Sequence, residues 1–135
     1  MPAKAPVSGP VSDPPPEYTV RAGMASDVGR VRRSNEDALA FVCPDDIALR
    51  RRLGVLAMVA DGMGGHRGGE VASTLAVDTI CRGYFAARPG EDRLRALERA
   101  MLDANRAICQ AGLADPSLEG MGTTANALVI VDDSV

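Results

Sequence analysis

The sequence predicts an α+β domain in which two helices lie side by side on a sheet. Three observations carry this reading. Gly54 to Ala60 is an unbroken apolar and glycine run that opens onto an acid, Asp61; two later segments repeat apolar residues at steps of three and four; and shorter strand-like runs stand near both ends of the chain. A short apolar run bounded by turn residues reads as a buried strand, and a 3.6-residue period as an amphipathic helix. The chain has 135 residues, 46% hydrophobic and 24% charged, which suits about one domain. With 3% aromatic residues and no Trp, its core must rest on Ala, Val, Leu, Ile and Met.

Taken in order, Met1 to Pro16 carries Pro2, Pro6, Pro10, Pro14, Pro15 and Pro16 among small polar residues, so residues 1–17 are expected to be a disordered tail preceding a folded part over 18–135. Tyr18 to Met24 is strand-like. Asp37 to Cys43 is a second strand, with Leu39, Phe41 and Cys43 alternating against Ala38, Ala40 and Val42. Pro44-Asp45-Asp46 ends it, leaving Ile47 to Arg52 as a helical turn or loop and Arg50, Arg51 and Arg52 as a solvated charge run. The strand that follows ends at Asp61. Gly69 to about Ala87 reads as a helix with the small-residue stripe Ala72, Leu75, Ala76, Thr79, Ile80 and Gly83, which predicts close packing on the sheet. Pro89-Gly90 separates it from a second helix with the stripe Leu94, Leu97, Met101, Ala104, Ile108 and Ala111, terminated by Gly112. Thr123 and Thr124 are expected to open a strand beside the site and support it, and Ala125 to Val131 is strand-like. Asp132-Asp133-Ser134 then looks like a hairpin turn, so the chain reads as the front part of a longer domain.

Composition excludes several functions. A net charge of -3 and a pI near 5.1 give no general attraction for nucleic acid or acidic membranes, so neither is expected as a partner. Cys43, Cys81 and Cys109 are too widely spaced for a zinc-ligand pattern and read as small core fillers in a reducing compartment. The first residues lack a signal-peptide core and no apolar stretch approaches the roughly 18 residues of a membrane span. The expected location is the cytoplasm.

The chemistry is concentrated in two places. Asp61 delivers a carboxylate from a buried strand into Gly62-Met63-Gly64-Gly65-His66-Arg67-Gly68-Gly69-Glu70, where glycines let the chain turn sharply and offer its own carbonyls and amides. Hard cations need such oxygen ligands held rigidly. The other is Ser26-Asp27-Val28-Gly29-Arg30-Val31-Arg32-Arg33-Ser34-Asn35-Glu36-Asp37. Adjacent acids opening a strand project to opposite faces, so one can approach a metal while the other orients a water or a basic neighbour. Arg32 or Arg33 can hold a phosphate through two parallel N–H bonds. Together these are the parts of a metal-assisted phosphate site: a metal-binding carboxylate, water-orienting acids and a phosphate clamp.

On these residues the chain resembles the metal-dependent Ser/Thr protein phosphatases, the PPM or type 2C family, in its bacterial form. The resemblance runs from about Tyr18 to Val135 and rests on Ser26-Asp27-x-Gly29-x-x-Arg32-x-x-Asn35-Glu36-Asp37, on Val59 to His66 with Gly69-Glu70-Val71-Ala72-Ser73, and on Glu119 to Thr124. It implies an α-β-β-α sandwich, truncated here to about its first half, whose two antiparallel sheets carry two Mn²⁺ or Mg²⁺ ions at one end. By that likeness Asp61 bridges the metals, the Gly62 carbonyl ligates one, and Glu36 and Asp37 bind metal directly or through water, with Asp37 orienting or deprotonating the nucleophile. Arg32 grips the substrate phosphate. For His66, the only His of the chain, two readings stay open: a general acid for the leaving alkoxide, which a pKa near 6.5 suits, or a loop-shaping hydrogen-bonder. The implied activity is hydrolysis of phosphoserine and phosphothreonine in proteins modified by Ser/Thr kinases, by a metal-activated water and without a phosphoenzyme. A complete member supplies further metal-binding aspartates from its second half. This chain stops before them, so it is expected to hold half the metal site, to leave an edge strand uncovered, and to hydrolyse phosphate esters more weakly than an extended protein.

Two alternatives compete. A nucleotide-binding module shares the order strand, glycine-rich loop, helix, but Gly62-x-Gly64-x-x-x-Gly68 is neither a dinucleotide fingerprint nor a P-loop, and Asp61 would repel a pyrophosphate. A truncated pseudophosphatase would recognise phosphoproteins without turnover, against which the presence of Arg32, Glu36, Asp37 and Asp61 speaks.

Overall fold

The computed structural model describes residues 19–31, 34–64 and 67–131. The expected tail over residues 1–17, Arg32, His66 and the Asp132-Asp133-Ser134 turn lie outside the described residues. β1 (Asp37–Val42), β2 (Val55–Met63), β3 (Gly122–Thr123) and β4 (Asn126–Ile130) form an antiparallel sheet around β2. β1 pairs along one edge of β2, and β4 and β3 pair in succession along the other. α1 (Ile47–Leu53) joins β1 to β2, while α2 (Gly68–Phe85) and α3 (Arg93–Ala114) follow β2 and lead through a 3₁₀ turn at Pro116–Leu118 to β3.

Alternation along β2 sorts its side chains between two faces. Leu56, Met58 and Ala60 are buried in one core with Ala76, Val77, Ile80 and Tyr84 of α2, whereas Val59, Asp61 and Met63 point the other way and are exposed. Register carries the same alternation to both neighbours: Leu39 faces Val59, and Phe41 and Leu128 both face Ala57. The face opposite the helices is therefore apolar as well, with Val59 48% and Leu128 45% exposed.

Several boundaries differ from those the sequence suggests. Thr19 to Met24 forms no strand; Arg21 to Val31 are exposed and unpaired with any ladder, and β-branched residues make a strand only where a neighbour receives them. Ile47 to Leu53 is a helix, because Asp46 Oδ1 accepts from the amides of Ala48 at 2.8 Å and Leu49 at 3.1 Å. It stops at Gly54, whose φ of 78° suits glycine and whose missing side chain admits the Ile130 carbonyl of β4. Arg52 is not a solvated charge: it donates to the carbonyls of Arg88 at 3.2 Å and Ala87 at 3.1 Å, past the end of α2. Of the three cysteines only Cys81 packs against the core; Cys43 and Cys109 are exposed.

Both helical stripes are rotated from their expected faces. α2 buries Ala72, Ser73, Ala76, Val77, Ile80 and Tyr84, leaving Leu75 and Thr79 half-buried. α3 buries Ala96, Ala100 and Ala104, with Leu97, Met101 and Ile108 beside them, while Leu94 is 77% exposed. Close approach explains the choice: a Cβ placed on Gly83 of α2 would lie 3.1 Å from the Ala100 Cβ, so only small residues fit the seam. Gly112 lies inside α3, which runs on to Ala114 and ends where Asp115 and Pro116 begin the 3₁₀ turn. No helix among the described residues is long and apolar enough to cross a membrane.

Candidate metal centre

Asp61 does not close its strand. β2 continues through Gly62 and Met63, because the Gly62 amide donates to the Glu36 carbonyl at 3.0 Å and Gly62 pairs with Thr123 of β3. Asp61 instead stands at the end of the β1–β2 ladder, directly opposite Asp37. Since the neighbouring pair, Glu36 and Gly62, is the hydrogen-bonded one, the Asp37–Asp61 pair is of the non-hydrogen-bonded kind, in which Cα atoms approach to about 4.5 Å and side chains share one face. Like charges so placed repel. A cation between them removes that repulsion.

Asp37 is oriented from the segment before it. Its Oδ2 accepts from the Ser26 hydroxyl at 3.3 Å; Asn35 donates from Nδ2 to Ser26 Oγ at 2.7 Å and accepts the Asp37 amide on Oδ1 at 3.0 Å. Asn35 thus steadies both the main chain and, through Ser26, the carboxylate. Ahead of them Asp27 closes its own turn by accepting the Gly29 amide at 2.7 Å. On the far side of β2, Thr124 takes both main-chain groups of Asp61: the Asp61 amide donates to Thr124 Oγ1 at 3.1 Å, and the Thr124 amide to the Asp61 carbonyl at 2.9 Å.

Glu36 takes the other side of the pleat. A Cβ placed on Gly69 would come within 2.8 Å of Glu36 Cδ and 3.1 Å of both its carboxylate oxygens, so the side chain lies over the first turn of α2. Negative charge is favourable there, where unpaired amides and the helix dipole point. Gly62 sits in the same knot: a Cβ on it would fall 2.5 Å from the Glu36 carbonyl and collide with the Gly69 carbonyl. The two adjacent acids therefore part as strand alternation demands, Asp37 to join Asp61 and Glu36 to the helix.

This geometry decides against a nucleotide cradle. The anion site at the start of α2 is already faced by a carboxylate, and among the described residues every strand pairing is antiparallel, unlike the parallel unit that dinucleotides require. A cavity of about 470 Å³ lined by Val42, Leu49, Cys81 and Phe85 opens at the opposite end of β1, away from the acidic pair. For a divalent metal the donors fit in kind, since carboxylates and carbonyls are the oxygen ligands that Mg²⁺ and its relatives take. They fit in number only as part of a shell: among the described residues no three His, Cys, Asp or Glu groups converge. Ser26, Asn35 and Thr124 are motif positions whose bonds the sequence does not show, because a hydroxyl or amide finds its partner only once strands are paired.

Comparison with known proteins agrees with this architecture. The family profile described as Protein phosphatase 2C matches residues 30–135. The serine/threonine protein phosphatase PstP of Mycobacterium tuberculosis is 39% identical over 110 residues, 82% of this chain and 19% of that protein. The serine/threonine phosphatase stp of Listeria monocytogenes is 32% identical over 120 residues, 86% of this chain and 45% of that protein. The crystal structure of PstP superposes with a TM-score of 0.63 at 38% identity, over 79% of this chain and 40% of the other. The chain thus spans less than half the length of these relatives, and the antiparallel sheet with its helices corresponds to the first part of their fold. It belongs to the protein phosphatase 2C family of Ser/Thr phosphatases.

Proposed function

We propose that this chain carries the front part of the site of a metal-dependent phosphoprotein phosphatase, which hydrolyses phosphoserine and phosphothreonine with a metal-activated water. The observation that carries the reading is the Asp37–Asp61 pair at the end of the β1–β2 ladder, two acidic residues placed directly opposite each other by backbone register. The catalytic domain of PstP, 38% identical over 79% of this chain, has been crystallised in complex with two manganese ions, which supports Mn²⁺ or Mg²⁺ as the cation here. Asp61, Asp37 and the Gly62 carbonyl would hold it. Bound in pairs, such ions lower the pKa of a shared water and make it a nucleophile near neutral pH.

The chain's own groups do the rest. Asp37, kept in place by Ser26 and Asn35, orients the attacking water and takes its proton. Glu36, turned toward Gly69 at the start of α2, acts through water. Arg32 holds the phosphate by paired N–H bonds, and His66 is the candidate donor of a proton to the leaving alkoxide. The substrates are phosphoproteins made by Ser/Thr kinases.

The test is Mn²⁺-dependent hydrolysis of p-nitrophenyl phosphate and of a phosphothreonine peptide. In a protein extended to the length of these relatives, Asp61→Asn is expected to remove both activity and Mn²⁺ binding; Arg32→Ala is expected mainly to raise KM, since it removes binding common to ground and transition states. Full turnover without metal, or an undiminished Asp61→Asn protein, ends the proposal. Peptide binding with no turnover would favour a non-catalytic phosphoprotein receptor instead.

A further inference from the structure

Asp61 is held on a ladder that is irregular on its β3–β4 side. β2 pairs with β3 through Gly62 opposite Thr123, and with β4 through Val59 opposite Asn126. The two stretches share one register, so Thr124 and Ala125 face Asp61 and Ala60 with nothing inserted on either strand. At a hydrogen-bonded position an antiparallel pair exchanges two main-chain bonds. Only one is regular here, from the Thr124 amide to the Asp61 carbonyl at 2.9 Å. The Asp61 amide donates instead to Thr124 Oγ1 at 3.1 Å, and the Thr124 carbonyl that would have received it accepts the Thr123 hydroxyl at 2.8 Å. A side-chain oxygen has replaced a main-chain one at the residue that stands opposite Asp37.

The Thr124 hydroxyl branches from Cβ rather than from the main chain, so the Asp61 amide is held by a side-chain oxygen where a regular ladder would use a carbonyl. Threonine is suited to this because branching at Cβ leaves it few χ1 positions, and the hydroxyl therefore stays where the strand puts it. Asp61 is braced on its other side by the Gly62–Glu36 bond of 3.0 Å, so its main chain is held from both neighbouring strands.

We propose that Thr124 is a positioning residue, whose hydroxyl interrupts the β2 ladder and thereby sets the angle at which Asp61 presents its carboxylate to a divalent cation. This rests on the metal-dependent reading given above. Outer partners of metal ligands are worth about 10- to 100-fold in metal affinity. Thr124→Val keeps the shape and removes the acceptor; Thr124→Ser keeps the acceptor.

Titration of the full chain with Mn²⁺, followed by the electron paramagnetic resonance of the free ion, separates the cases. Thr124→Val is expected to raise the Kd about tenfold or more while its metal-free melting temperature stays near that of the parent, and Thr124→Ser is expected to bind within about twofold of the parent. Mn²⁺ binding that is lost in Asp61→Asn yet unchanged in Thr124→Val overturns the positioning role alone. If Thr124→Val does not fold, Thr124→Ser decides, and a tenfold loss there overturns the proposal. A parent chain that binds Mn²⁺ no better than Asp61→Asn removes the metal reading and this inference with it.

Discussion

Gly62 shows how much geometry a residue without a side chain can carry. Its amide is held by Glu36, and its Cα lies where a Cβ would strike the main chain of both Glu36 and Gly69, so β1, β2 and the start of α2 meet across it. Neither neighbour is a flexible side-chain end that can swing away. Gly62→Ala is therefore expected to cost about 2–3 kcal/mol, the upper range for overpacking, and to part the acidic pair from α2. Urea unfolding measures it, and an unchanged midpoint would show that the junction has room for a methyl group. Gly69 contrasts with it, because an added methyl there meets the carboxylate of Glu36, which can move.

At the level of elements, the turn between α2 and α3 is braced by charge. Arg99 of α3 donates from Nε to Glu91 Oε1 at 3.0 Å and from Nη2 to Oε2 at 3.3 Å, and also reaches the Gly83 carbonyl of α2 at 3.2 Å. The Arg88 amide donates to the same Glu91 carboxylate at 2.9 Å. The hydrogen bond from Arg99, then that from Arg88, holds the Glu91 carboxyl below its ordinary range. A carboxyl depressed in the folded state adds stability that is present above its unfolded pKa and is lost as pH falls through the lower folded value. Glu91→Gln should accordingly be less stable than the parent at neutral pH, with the gap closing below about pH 4 as the parent's carboxyl takes its proton. Urea midpoints at several pH values check this, and a gap that widens in acid contradicts it.

Across the whole molecule the two faces of the sheet are unequal. One is covered by α2, with α3 packed on it; the other presents Leu39, Phe41, Ala57, Val59 and Leu128 to the surface beside the acidic pair. In an α-β-β-α sandwich that face receives the second sheet, and this chain matches only 40% of the crystallised PstP chain. An apolar sheet face left open is an adhesive surface. The chain by itself is thus expected to bind the dye ANS and to self-associate, and the double variant Val59→Ser/Leu128→Ser to do both less at similar stability. Equal dye binding by parent and variant would mean that the face is not accessible in solution.

The sequence alone determined which chemistry is possible and roughly where its carriers lie along the chain. Asp37, Asp61 and the glycine loop announce themselves because hard-cation ligands and tight turns use few residue types, and the long helices because burial imposes a 3.6-residue period. Partnership was left to the tertiary structure. Whether Thr19 to Met24 becomes a strand depends on a neighbour, the buried stripe of α3 on how closely α2 approaches, and the separation of Glu36 from Asp37 on which face of the sheet each pleat meets. These are contacts between residues distant along the chain. Local propensity cannot register them, because their energy exists only after the chain has closed on itself.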